Sequence, residues 1–311
     1  MCLYVKSLTV TSVSYLELYV SDTFNYLGGR RGSPRAVNVV IGVPFDSTSS
    51  FRVGARYAPQ RIREASQYIE TYSWRANADF DDIDYYDLGD VAVTPDVTST
   101  LTRVEKVVGE LFSQGKRPIT LGGEHTITLG AVKGILKSCR DLKIIVLDAH
   151  LDLRDEYPEG QKVSHATVTR RLLDEMSFND ILLLGVRAFS RHELETANKL
   201  KVQYLTSYEL SKLKLSEVLK EIKGFVSSSK YYISLDLDVI DPSYAPAVQN
   251  PEIEGLTPTM ILDIMHELCR DDNFVGFDMV EYTPLYDHSG VTAVLAAKVL
   301  CEIITYAFTK S

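Results

Sequence analysis

The chain reads as an α/β fold built on a largely parallel sheet of eight strands flanked by helices. Three observations carry this reading. Eight short apolar runs recur along the 311 residues, and most are separated by stretches with helical apolar spacing. The most apolar runs are continuous rather than alternating, as expected of strands buried on both faces. No internal repeat, low-complexity segment or linker interrupts the series. Residues 37–311 are therefore expected to form one domain, preceded by an N-terminal extension, residues 1–36, whose structure the sequence leaves open.

In that extension, Val10 to Val20 suits either an edge strand or a short helix, and Gly28 to Pro34 reads as an exposed loop. The extension is expected to decorate the domain or an oligomer contact. Val37 to Phe45 is the first buried strand, and a Gly- and Ser-containing loop from Asp46 leads to a helix at Gln60–Ser66. Tyr85–Val91 is the second strand. Helical spacing over Thr102–Gln114 (Val104, Val107, Val108, Leu111) precedes the third strand at Arg117–Leu121, and a helix over residues 126–138 follows. The fourth strand is Ile144–Leu147. Ile181–Val186, Val202–Leu205, Tyr231–Leu237 and Phe274–Val280 complete the eight.

Composition narrows the function. A net charge of −9 and a pI near 5.3 argue against a nucleic-acid partner and mildly favour cationic small molecules. The four cysteines, Cys2, Cys139, Cys269 and Cys301, form no CxxC pair and fit reduced thiols. No apolar run approaches the length of a membrane span, and the N-terminus lacks the pattern of a signal peptide, so a cytoplasmic location without membrane attachment is expected.

The chemistry gathers at strand ends. The run ending at Leu147 breaks into Asp148, His150 and Asp152, spaced so that an extended chain would turn all three to one face. Asp236 and Asp238 repeat the pattern after Tyr231–Leu235, and His125 follows the strand that breaks at Gly122-Gly123. Four carboxylates and two imidazoles beyond strand ends of an open α/β sheet suit two divalent cations sharing bridging carboxylates.

GGEH at Gly122–His125, DAHLD at Asp148–Asp152, SHA at Ser164–Ala166 and SLDLDVIDP at Ser234–Pro242 occur in the order seen in ureohydrolases, the arginases, agmatinases and their relatives. The chain resembles that family from about Gly42 to its end. GVPFD at Gly42–Asp46, GAR at Gly54–Arg56, IREAS at Ile62–Ser66 and MVEYTPLYD at Met279–Asp287 are most similar to the agmatinase branch, of archaeal type.

The resemblance implies a three-layer arginase-like fold and a cofactor of two Mn²⁺ per chain. One ion would take His125, Asp148, Asp152 and Asp236; the other would take His150, Asp148, Asp236 and Asp238. A hydroxide bridging them would attack the guanidinium carbon of a small cationic guanidino substrate. His165 would pass a proton to the leaving amine, a task that an imidazole of ordinary pKa, about 6.5, suits. Glu281 would pair with the substrate guanidinium. Agmatine, giving putrescine and urea, is the expected substrate. Arginine, other guanidino or formimino compounds, and a catalytically silent regulatory relative are the alternatives. A homo-oligomer, trimer or hexamer, is implied as well.

The loop Leu153–Val163 lacks the Asn and Ser that arginases use to hold a carboxylate, and its Asp155, Glu156 and Glu159 are expected to repel one. Four departures from the family pattern stand out: Glu124 for Asp, Leu151 for Thr, Ala166 for Gly, and Val248–Asn250 in place of a small turn. His192 and His266 read as surface or packing residues, and the role of His288 is left open.

Overall fold

The structure is a computed structural model and is described for residues 14–27 and 33–309. The start of the Val10–Val20 segment and most of the Gly28–Pro34 loop lie outside the described residues. In chain order the strands are β1 (Val20–Ser21), β2 (Asn38–Gly42), β3 (Tyr72–Ser73), β4 (Ala78–Asp79), β5 (Tyr85–Val91), β6 (Arg117–Leu121), β7 (Lys143–Leu147), β8 (Ile181–Val186), β9 (Gln203–Thr206), β10 (Tyr231–Asp236) and β11 (Phe274–Val280). β3 and β4 pair as a separate ribbon. The other nine form one sheet in the order β1-β5-β2-β6-β11-β10-β7-β8-β9.

Every pairing in this sheet is parallel except β1 with β5. The eight expected strands are therefore present, and β1 makes a ninth. It is two residues of antiparallel edge, following a short helix at Tyr15–Tyr19, so the ambiguous N-terminal segment contains one element of each kind. A two-residue strand has no periodicity for sequence analysis to detect.

The three layers follow from side-chain alternation. Ile145 and Leu147 of β7, Leu182 and Leu184 of β8, and Ile233 and Leu235 of β10 point to one face. There they meet the helices Ala58–Ala65, Leu215–Val226, Pro258–Leu268 and Val291–Phe308. Ile144, Val146, Ile181, Leu183 and Tyr232 point to the other face, against Val97–Ser113, Ile127–Leu136 and Val168–Leu172. Both faces are covered, which is why the strands read as unbroken apolar runs.

One expectation changes. The helix Val291–Phe308 is, among the described residues, long and apolar enough to cross a bilayer. It carries Lys298 and Glu302, and 72% of it is buried in the core, so its apolar character serves packing.

The N-terminal segment is tied to the same core. Tyr26 is fully buried; its hydroxyl donates to the Ala297 carbonyl at 2.6 Å and its amide to Asp87 at 2.8 Å. Asp87 also receives Arg63 Nε and Nη2, both at 2.9 Å, while Arg63 Nη1 reaches Asp90 at 2.6 Å. Arg63, the arginine of IREAS, has no exposed surface, so this ion pair fastens a helix to β5 in the dry interior. Removing one partner of such a pair leaves a buried charge uncompensated. Asp87→Ala should therefore lower unfolding free energy by about 3–5 kcal/mol in urea titrations.

Candidate active site

Parallel strands all present their carboxyl ends on one side, and the polar residues after β6, β11, β10 and β7 meet there. β6 and β7 are consecutive among the sheet strands in sequence, yet β11 and β10 are inserted between them, so these four ends are neighbours in space. Gly123 lets the turn after β6 close against the turn after β2: a Cβ there would run into the Phe45 backbone. Glu124 N–H then donates to the Phe45 carbonyl at 2.8 Å, and His125 enters the site.

All six candidate metal-ligating residues converge, though not by strand geometry throughout. β7 ends at Leu147, and Asp148 to Asp152 form an irregular segment in which Asp152 has φ +49°. β10 ends at Asp236, and a single 3₁₀ turn, Leu237–Val239, brings Asp238 round. Backbone amides hold these carboxylates: His150 N–H to Asp148 Oδ1 at 2.6 Å, Ala149 N–H to Asp238 Oδ1 at 3.0 Å, and Asp238 N–H to Asp236 Oδ1 at 2.9 Å.

The donor atoms form two groups that share Asp148. His125 Nδ1 lies 3.2 Å from Asp148 Oδ2, 3.1 Å from Asp152 Oδ2 and 3.4 Å from Asp236 Oδ2. His150 Nδ1 lies 3.4 Å from Asp148 Oδ1 and 2.9 Å from Asp238 Oδ2. Neither His125 Nδ1 nor Asp148 Oδ2 makes a hydrogen bond, although both are buried. Adjacent ligands of an octahedral ion with bonds of about 2.1 Å stand about 3.0 Å apart, so these separations fit donors around a shared cation. Each group, His125–Asp148–Asp152 and Asp148–His150–Asp238, could hold an ion.

Electrostatics point the same way. Burial and the charge of Asp148 push Asp152 up to about 7, and burial with Asp238 and Asp148 raises Asp236 well above the carboxylate range. Burial also opposes ionisation of Asp148, but His125 and His150 outweigh it and hold that carboxyl low. Burial works against charge on His125, which Asp148 and Asp152 overcome. So much buried acid needs positive charge to ionise fully. Behind His125, its Nε2 lies 3.2 Å from Ser234 Oγ, which donates to Asp278 Oδ1 at 2.6 Å. This outer chain fixes the ring. Asp278, a charged residue inside an apolar strand run, was the sequence signal for it.

His165 sits beside the cluster. Its Nε2 is 3.0 Å from Ser50 Oγ and its Nδ1 3.4 Å from Thr48 Oγ1. Burial, then the nearby charge of His150 and His125, lowers it to about 4, below the ordinary value expected from sequence. Asp46 closes the loop carrying Thr48 and Ser50 by accepting Gly54 N–H at 2.9 Å and pairing with Arg56, which accounts for the GVPFD and GAR motifs.

Glu281 follows β11 at φ +70°. Its Oε1 accepts His125 N–H at 2.5 Å, while Oε2 is buried without a partner. Burial leads the causes that raise it well above the carboxylate range. Val248 bridges to Tyr282, and Gln249 N–H donates to the Glu281 carbonyl at 3.2 Å, so the Val248–Asn250 departure buttresses this residue.

These groups line a cavity of about 350 Å³. Its outer wall holds Arg154, Tyr157, Ser190, Glu193, Asn250 and Glu252, of which the sequence had marked only Asn250, within the Val248–Asn250 departure. Arg154 Nε stands 3.6 Å from Glu193, and its guanidinium stacks on Tyr157 at 4.6 Å. The acidic loop residues do otherwise than expected. Asp155, Glu156 and Glu159 are exposed and absent from the wall, and Asp155 is paired with Arg171 at 2.9 Å. His288 is exposed and also off the wall. His192 is exposed and His266 packs against Tyr306, as expected.

Residues 36–305 match the model of the Arginase family. The chain is 33% identical to an agmatinase of Bacillus subtilis over 290 residues, covering 93% of this chain and 97% of that one. It is 32% identical to a guanidinobutyrase of Pseudomonas aeruginosa, covering 85% and 84%. Among solved structures, agmatine ureohydrolase of Thermoplasma volcanium superposes with a TM-score of 0.83 at 39% identity, covering 96% of each chain.

Proposed function

The chain belongs to the arginase family, and from that premise we propose that it hydrolyses agmatine to putrescine and urea at a dinuclear manganese site. The observation that carries this is the pair of donor groups that share the buried Asp148 and whose other members, His125, Asp152, His150 and Asp238, line the cavity. His125, Asp148, Asp152 and Asp236 would hold one ion; His150, Asp148, Asp236 and Asp238 the other. The oxygen-rich donor set with two imidazoles suits Mn²⁺. Two dications held there would supply Lewis acidity that activates water for attack near neutral pH.

The protein groups supply position and proton transfer. Glu281 Oε2, buried and unpartnered, is free to accept a guanidinium N–H, and the arriving cation favours its ionised form. His165 is neutral at pH 7, so its Nε2 takes a proton released by the attacking water and passes it to the leaving amine. Residues 37–311 act as one catalytic domain, to which the N-terminal segment adds an edge strand. Assembly as a trimer or hexamer and a cytoplasmic location belong to this reading; exposed Phe51, Tyr57 and Tyr244 offer apolar contact surface.

The far end of the substrate meets the outer wall. Arg154 already faces Glu193, and Glu252 adds a second carboxylate, so the wall favours an ammonium over a carboxylate. A second reading, a guanidino acid such as 4-guanidinobutyrate, rests on Arg154 and on the similarity to the guanidinobutyrase. The deciding experiment is urea release from agmatine, arginine and 4-guanidinobutyrate with added Mn²⁺. We expect kcat/KM for agmatine at least ~100-fold above either acid, equivalent to ~2.7 kcal/mol. An equal or better guanidino acid would overturn the substrate and leave the metal chemistry standing.

Metal titration should give two Mn²⁺ per chain, with binding and activity both lost in Asp148→Ala and Asp236→Ala. Since Asp152 carries a proton below about 7 in the metal-free protein, binding must displace it, and affinity should fall as pH drops through that value.

The two roles beside the metals separate kinetically. His165→Ala should lower kcat by roughly 10²–10⁴-fold with metal content unchanged. Glu281→Ala should mainly raise KM, with kcat falling as far as the guanidinium is misplaced.

A further inference from the structure

We propose that Thr48 and Glu124 are positioning residues that decide which nitrogen of His165 carries its proton, keeping Nε2 bare toward the cavity. The inference rests on the reading of His165 as the proton carrier and names what prepares it.

A threonine hydroxyl has one proton to give and two lone pairs to receive with. The Thr48 proton goes to Glu124 Oε1 at 2.6 Å, and the Thr48 amide donates to Oε2 at 2.8 Å. The Thr126 hydroxyl also donates to Oε1 at 2.6 Å, so Thr126, 3.2 Å from Thr48 Oγ1, has its own proton committed. With its proton on a carboxylate, Thr48 Oγ1 can only accept. It receives the His165 backbone N–H at 3.0 Å and faces His165 Nδ1 at 3.4 Å. An acceptor facing Nδ1 selects the Nδ1–H form, because the other tautomer would set two lone pairs against each other.

Nε2 is then the basic atom, with Ser50 Oγ donating to it at 3.0 Å on the cavity side. When Nε2 takes a proton, the new charge is met through Thr48 by the Glu124 carboxylate. All three partners are held rigidly: Glu124 and Thr126 have no more than 1% of their surface exposed and Thr48 has 7%. A glutamate at position 124 reaches both the hydroxyl and the amide of Thr48, and so ties the turn after β6 to the loop after β2.

Histidine ring-nitrogen NMR on ¹⁵N-labelled protein loaded with diamagnetic Zn²⁺ tests the tautomer directly, with His165→Asn identifying the signal. The expected result is Nδ1–H with bare Nε2 in the native protein, and a mixture of tautomers in Thr48→Val. With Mn²⁺, Thr48→Val should lose roughly 10- to 100-fold in kcat at little-changed KM and metal content, the usual cost of removing an imidazole's orienting partner. Thr48→Ser, which keeps the hydroxyl, should restore most of it. An Nε2–H signal in the native protein overturns the proposal. So does a Thr48→Val kcat within about twofold of native, or a Thr48→Ser as impaired as Thr48→Val. The NMR result stands whether or not agmatine is the substrate, so failure here is distinct from failure of the substrate assignment.

Discussion

Burying Asp148, Asp152, Asp236 and Asp238 side by side is the constraint on which the rest of this structure depends. Each ionised carboxylate taken from water costs several kcal/mol, and four neighbours repel one another as well. A parallel sheet creates this crowding because its strands all end on the same side. Placing β11 and β10 between β6 and β7 concentrates it at the centre. The raised values of Asp152 and Asp236 are the response of the protein alone: some of the acid stays protonated. Dications bound there would convert that unfavourable cluster into a favourable one and so couple ion binding to the stability of the strand ends.

The scaffold accepts local strain to hold this geometry. Asp152 and Glu281 are non-glycine residues at φ +49° and +70°, a conformation that costs of the order of 1–3 kcal/mol each. Both are pinned through their backbones. The Asp152 carbonyl accepts Arg170 N–H at 3.0 Å, and Glu281 donates its amide to the Gly123 carbonyl at 2.9 Å while its own carbonyl receives Gln249. The hydrogen bond from His125 N–H to Glu281 Oε1 links a residue of the ion cluster to the residue read as the guanidinium partner. A shift in one is therefore transmitted to the other.

Sequence reasoning located what is written as a contrast between neighbours. An apolar run that ends in Asp-x-His-x-Asp announces both a buried strand and its exit, so all eight parallel strands and the donor cluster were legible from local pattern. What it missed depends on contacts between distant loops. Ser50, Glu193 and Glu252 are ordinary polar residues with no spacing to mark them, and only folding brings them to one cavity. The acidic loop misled for a related reason. An irregular segment has no periodicity from which to read side-chain direction, and here Arg154 and Tyr157 turn inward while Asp155, Glu156 and Glu159 turn to solvent. Strand geometry likewise placed Asp238 correctly for the wrong reason, since a 3₁₀ turn carries it rather than an extended chain.

The division between floor and wall explains why family membership alone leaves the far end of the substrate open. An agmatinase and a guanidinobutyrase match this chain at 33% and 32% identity, so overall likeness does not separate an amine from a carboxylate. In the proposed reaction the donor cluster and Glu281 act on the guanidinium, which both kinds of substrate present identically. Choice must come from groups that touch only the far end, and there charge balance decides. Arg154 would welcome a carboxylate were it alone, but Glu193 stands 3.6 Å away and is itself fixed by Ser190, whose amide and hydroxyl donate to it at 2.9 and 2.8 Å. To bind an acid, the wall would have to loosen that pair and leave Glu193 buried without its cation, which costs more than the new contact returns. An ammonium would leave the pair intact, in a cavity that Glu252 also lines.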